Sequence, residues 1–580
     1  MGISIKKRGQ KILRRFSKAS IQVSEDGREH IKENLIARVS HIKNAKLLIF
    51  EWSLLTLALI MLAITQAFWF SSTYAADVFV DGGTYTEATL GRVNSMNPLF
   101  ATTGSEKVLS KLLFSTLTTV DYSGNPGLLL ADSLTPDING KVWTMKLRDN
   151  LKWSDGEAIT NDDVMFTIEL IQNPSVNTIY SSNLEGVKVT ENENGEIVFT
   201  LPGAYADFES ALDIPVVPKH ILENVPVRTL IEAEFSNLPV TSGAFKFNAR
   251  QTNTGPDEEV IYLSANPHYY LGRPMLNTFA VHTFATKDAL SDAMNSGSVT
   301  ATAELNGLDA DKVTSGSFIK RESSVNVGAF IFFNATSYFL KGQELRSTIR
   351  EGLNVAKLRE KAPGTVALNY PLLNTQIELT SYPEIPAENF LDATAKIEQM
   401  EAGDDGTIVL NIATVNSGYL PAVAEELKNQ LVMLGIDARL MVYEETQDFI
   451  ANVIAKRNYD ILVYEIELGG DPDLLPYYHS SQTKAAGLNL SNYSNALVDD
   501  LIVGARETLD ETLRVKKYES FLGYWVSEVP AIGLYQANAT YIYNKNVRAY
   551  GEDVKLVTIM DRFSGITSWA AVKATRNLTP

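Results

Sequence analysis

Six histidines, at positions 30, 41, 220, 268, 282 and 479, are the first place to look for acid–base or metal chemistry. No two have zinc-ligand spacing, and no His-Glu-x-x-His segment occurs. Cysteine is absent, which excludes thiolate metal sites, cysteine nucleophiles and disulfide scaffolds. There is no Gly-x-Ser-x-Gly elbow and no Gly-x-x-x-x-Gly-Lys-Ser/Thr phosphate loop. What remains is a run of acids and turn residues, Glu465-Ile466-Glu467-Leu468-Gly469-Gly470-Asp471-Pro472-Asp473. Asp471 and Asp473 alternate as cation-binding acids do, but a solvated turn rich in Gly, Pro and Asp reads the same way. The expectation is therefore a protein that is not an enzyme and needs neither metal nor cofactor.

The elements that carry this run are legible. Ile408–Ile412 is a short apolar strand, and Pro421 suits the first turn of a helix whose Val423, Leu427, Leu431 and Leu434 share one face. Gly435 stops that helix. Ile436 to Val442 alternates as a second strand, a helix follows over 447–456, and Tyr459–Tyr464 is a third strand. Strand, helix, strand, helix, strand at this spacing predicts a parallel sheet with right-handed crossovers. Ligands bind beyond the carboxyl ends of such strands, where the run beginning at Glu465 leaves the sheet. Nearer the N-terminus, Val142–Arg148 alternates as a half-buried strand, and Thr160 with Asp163 forms a capping pair at a helix start.

Charge divides the chain. Residues 1–46 hold 12 Lys and Arg against 4 Asp and Glu, while the whole chain of 580 residues is -18. An acidic body argues against nucleic acid as the partner. Between tail and body lies Leu47–Phe70, long enough to span a bilayer, with Trp52 and Trp69 toward its ends. The positive flank places the N-terminus in the cytoplasm and the body outside. A cleaved signal peptide has a shorter basic region and a shorter apolar run, so an uncleaved anchor is expected. Ile12, Leu13 and Phe16 among basic residues suggest an amphipathic helix in the tail, or simply a solvated topology signal.

The body resembles bacterial extracellular solute-binding protein family 5, the oligopeptide/dipeptide/nickel-binding group of ABC importers. The resemblance runs from about Gly82 to about Trp569. It rests on Asn97-Pro98-Leu99, Trp153-Ser154-Asp155-Gly156, Asp162-Asp163-Val164, Pro218-Lys219-His220-Ile221-Leu222, Gly272-Arg273-Pro274, Phe333-Asn334 and Asp471-Pro472-Asp473, in the family's order. It implies an α/β, bilobal periplasmic-binding-protein-like fold (type II) with hinge-linked lobes. Residues 77–325 plus 543–580 would form lobe 1, and 326–542 lobe 2. The implied partners are a peptide or other small solute and ABC permease and ATPase subunits, with the protein a monomer on the cell membrane. A ligand sensor signalling through the tail, or a binder of a metal chelate or sugar, are the alternatives.

In peptide-binding members an acid before the Asp-Pro element pairs with the ligand's α-ammonium. That position is Leu468 here, which cannot balance a buried charge. Glu467 or Glu465 takes its place if the register shifts. Otherwise the ligand lacks a free amino terminus or is no peptide. Arg92, Val93 and Asn94 correspond to a strand end lining the cleft, with Arg92 suited to a ligand carboxylate. The expected ligand-binding set is Arg92, Val93, Asn94, Tyr464, Glu465, Glu467, Leu468 and Asp471.

Overall fold

The computed structural model describes residues 46–120, 126–176, 178–252, 259–400, 407–444, 449–484, 487–551 and 555–577. The tail and its amphipathic segment around Ile12 lie outside the described residues. The chain divides into two compact units. One contains the N-terminal segment to Val78 with Lys573–Pro580, and the other is the body, Phe79–Val572.

The first unit carries a helix, Lys46–Tyr74, whose stretch Leu48–Trp69 has 22 residues and a mean hydropathy of 2.1. At 1.5 Å per residue that stretch is about 33 Å long, enough for a hydrocarbon core of ~30 Å. Its large side chains, including Leu55, Met61 and Phe68, are exposed. A helix apolar on every face and unpacked suits lipid rather than a protein core.

Among the described residues, eleven strands of the body form its main sheet. In chain order they are β1 Thr84–Leu90, β2 Phe245–Thr252, β3 Glu259–Ala265, β4 Thr278–Phe284, β5 Ala301–Thr302 and β6 Phe318–Phe333, then β7 Val366–Ala367, β8 Val409–Val415, β9 Asp437–Tyr443, β10 Ile461–Glu467 and β11 Ala531–Asn544. Their order across the sheet is β9-β8-β10-β6-β11-β5-β1-β4-β3-β2, with β7 on β11. The pairings β8–β9 and β8–β10 are parallel, as the strand–helix alternation requires. The helix between β8 and β9 is Leu420–Met433, with Pro421 in its first turn and Val423, Leu427 and Leu431 buried. Gly435 follows at a φ of 92°, a left-handed stop that a side chain would strain. The helix expected over 447–456 is instead a π-helical turn, Ile450–Ile454, among the described residues there. Only Val453 of those five is buried, and three of them are β-branched, which does little to sustain an α-helix.

β6 and β11 are long and antiparallel, and they run through both halves of the body. One core spans Ala329 to Tyr535. A second gathers Tyr85 to Val325 together with Ala539 to Trp569. The β6–β11 ladder breaks register between Ser324 and Gly328, at the passage from one core to the other. The body is thus α/β and bilobal, with crossover strands joining the lobes. A separate four-stranded antiparallel sheet spans Ala131–Thr200 in lobe 1. There Trp153 is fully buried, and the Asp163 carboxylate accepts the Thr160 backbone N–H at 2.9 Å, capping the helix Asn161–Gln172.

Candidate functional site

A cavity of ≈ 490 Å³ lies between the lobes. Its floor is made of the crossover strands, at Val325 and Val327 of β6 and Ala537 to Thr540 of β11. Lobe 1 supplies the helix Gly104–Leu113 through Gly104, Lys107, Ser110 and Lys111. Lobe 2 supplies Tyr419, Glu465, Glu467 and Tyr535.

The helix Gly104–Leu113 starts at Thr103, whose side chain and that of Glu106 form a capping box. Lys107 and Lys111 are four residues apart and so fall on one face, toward the cavity. Lys111 pairs with Asp213 at 3.0 Å. Burial alone would lower the Lys111 ammonium, but Asp213 and Asp561 outweigh it and hold it above its usual value.

β10 runs farther than the sequence suggests, to Glu467 rather than Tyr464. Positions 461, 463, 465 and 467 share one face of the strand. Ile461 and Val463 fill the lobe 2 core, and the same face then delivers Glu465 and Glu467 to the cavity. The Tyr535 hydroxyl donates to Glu465 Oε1 at 3.0 Å. Burial raises the Glu465 carboxyl above the usual carboxylate range, and the tyrosine bond offsets only part of this. Tyr464 faces the other way and packs on Phe449 at 5.5 Å between ring centroids.

Of the expected residues, Glu465 and Glu467 come together at this cavity, and the other six lie elsewhere. Leu468 is buried in the lobe 2 core, not aimed at a ligand. Its backbone N–H donates to the Asn326 carbonyl at 2.7 Å, and its carbonyl accepts from Gln376 Nε2 at 2.7 Å. Asn326 also donates to the Gly469 carbonyl at 2.8 Å, so the turn is stitched to β6. Asp471 takes a hydrogen bond from the Tyr205 hydroxyl of lobe 1. Burial and the neighbouring Asp473 raise its carboxyl well above the usual range. Arg92 and Asn94 are exposed on the loop after β1, and Val93 is buried with its carbonyl accepting from Arg250 Nη2 at 2.7 Å. The Asn94 backbone N–H donates to Glu106 at 2.9 Å.

Lys107, Lys111, Tyr419 and Tyr535 were not foreseen. The Thr103-Gly104-Ser105-Glu106 cap was a readable sign of the first pair's helix. Among the described residues no group of three His, Cys, Asp or Glu is placed to hold a metal ion.

The lobes, the crossover strands and the cavity between them define a periplasmic-binding-protein-like fold. Comparison with known proteins agrees. The profile of bacterial extracellular solute-binding proteins, family 5, matches residues 125–487, and the chain belongs to that family. The oligopeptide-binding protein AppA of Bacillus subtilis (strain 168) is 26% identical over 492 residues, covering 81% of this chain and 89% of AppA. The structure of B. subtilis AppA in complex with a nonapeptide matches with a TM-score of 0.71 at 23% identity, over 85% of this chain and 100% of that one. NikZ of Campylobacter jejuni, in complex with Ni(L-His), matches with a TM-score of 0.71 at 22% identity, over 84% of this chain and 99% of NikZ.

Proposed function

We propose that this protein is the peptide-capturing receptor of an ABC importer, held as a monomer on the outer face of the cell membrane by Leu48–Trp69. The cavity walled by both lobes and floored by their crossover strands is the observation that carries this reading. A solute entering it meets polar groups from each lobe. Closure by bending at the register break removes water and presents a shut surface to the permease. Glu465 and Glu467 contact the solute in place of the acid that Leu468 replaces, because they occupy the cavity face of β10. On this reading lobe 1 is 77–325 with 543–580 and lobe 2 is 326–542; the change of core between Val325 and Ala329 supports the first boundary, while the lobe 1 core already includes Ala539 and Tyr541 of β11. The basic tail stays in the cytoplasm, since its charge resists translocation.

Native mass spectrometry of the full-length protein released from detergent tests this. The expected result is a complex with a small solute, displaced by added peptide and recovered intact. A protein that carries nothing and takes up no peptide overturns the reading.

A further inference from the structure

The cavity lining leaves its own charges uncompensated. Among the described residues five carboxylates border it, against three lysines and no arginine. Two of those lysines are committed, Lys111 to Asp213 at 3.0 Å and Lys287 to Asp309 at 2.7 Å. Asp309 is not itself part of the lining, so it consumes positive charge from outside.

The imbalance comes from both lobes, with Glu322 on the lobe 1 stretch of β6 and Glu465 and Glu467 on β10 of lobe 2. Glu465 accepts a hydrogen bond from the neutral Tyr535 hydroxyl, and Glu322, Glu465 and Glu467 have no cationic partner among the described residues. Tyr419 and Tyr535 border the same cavity as these acids. In open water three such acids cost little. In a closing cleft they repel one another and lose hydration, so closure is opposed unless the ligand brings positive charge. Tyrosine faces add to the attraction for a cation and give nothing to an anion.

We propose that the cleft selects solutes with net positive charge, namely short peptides bearing a lysine or arginine side chain, which Glu322, Glu465 and Glu467 receive beside Tyr419 and Tyr535. This rests on the capture reading above and adds the ligand's charge class. A neutral peptide has only its amino terminus to offer to three carboxylates. Its carboxy terminus is met by Lys107, a lining lysine with no acidic partner among the described residues. An acidic peptide is repelled by the wall that a basic one neutralises.

Titration calorimetry on the full-length protein in micelles, with Ala-Lys-Ala, Ala-Ala-Ala and Ala-Glu-Ala at low salt, decides the matter. Ala-Lys-Ala should bind about tenfold or more tighter than Ala-Ala-Ala, with Ala-Glu-Ala weakest. The triple variant E322Q/E465Q/E467Q should bring the basic and neutral peptides within about threefold of each other. The single variant E467Q, at an exposed position, should already narrow the gap. Equal affinities, or a preference for Ala-Glu-Ala, overturn the charge assignment and leave solute capture standing. Binding of none of the three overturns both.

Discussion

Leu468 shows how one residue's surroundings decide its role. Its side chain belongs to the lobe 2 core, so an acid placed there creates a buried charge without a partner rather than a ligand contact. L468D should therefore cost about 3 kcal/mol or more in urea unfolding and yield no gain in peptide affinity. Glu87 and Arg562 present the complementary case. Both side chains are fully buried in lobe 1, paired with each other, and the Tyr541 hydroxyl donates to Glu87 at 2.9 Å. R562M strands the Glu87 carboxylate and should lose about 3–5 kcal/mol by the same unfolding measurement. E87Q/R562M removes both charges and should recover much of that loss.

At the scale of elements, the β6–β11 ladder breaks register between Ser324 and Gly328 and again between Ala329 and Phe330, with Gly328 between the two breaks. A Cβ there would lie 2.6 Å from the Phe330 ring and 2.8 Å from Leu368. G328V should cost about 1–3 kcal/mol and weaken solute binding, because the strand must shift where it needs to bend. Across the lobes, Arg514 pairs with Asp207 at 2.8 Å, the Arg506 guanidinium lies 4.1 Å from the centre of the Tyr205 ring, and Tyr205 donates to Asp471. Burial raises both Asp471 and Asp473 in the folded protein, with the charge of Asp473 adding to it at Asp471 and that of Asp207 at Asp473. Folded carboxyls that hold protons more tightly than unfolded ones add stability below the usual carboxylate range. That stability is lost as pH rises through the raised values. The melting temperature of the wild type should fall between about pH 4 and about pH 8 more steeply than that of D471N. The parallel strands and the Leu420–Met433 helix were readable because their apolar positions recur locally. The end of β10 was not, because Glu465 and Glu467 look like loop residues until β6 pairs with them at Ala329 and Val327. Nothing local marks Tyr419 or Tyr535 as neighbours of Glu322 and Glu465, since the sheet brings them together over long stretches of chain.

For the whole molecule, the apolar helix Leu48–Trp69 predicts that the intact chain stays with membranes through alkaline carbonate extraction. Release of the full-length chain by that treatment would contradict anchoring. The central claim is that two lobes shut around a solute and leave it chemically unchanged. The absence of cysteine makes a direct test clean, because introduced pairs are the sole labelling sites. Leu271 in lobe 1 and Leu391 in lobe 2 are both exposed, at 51% and 80%, and accept dyes at L271C and L391C. Single-molecule energy transfer on this full-length pair, with mass analysis of the peptide afterwards, measures closure and chemistry together. The account predicts a reversible change in transfer efficiency on adding a bound peptide, with that peptide recovered intact. An unchanged efficiency with peptide bound, or a cleaved peptide, would contradict it.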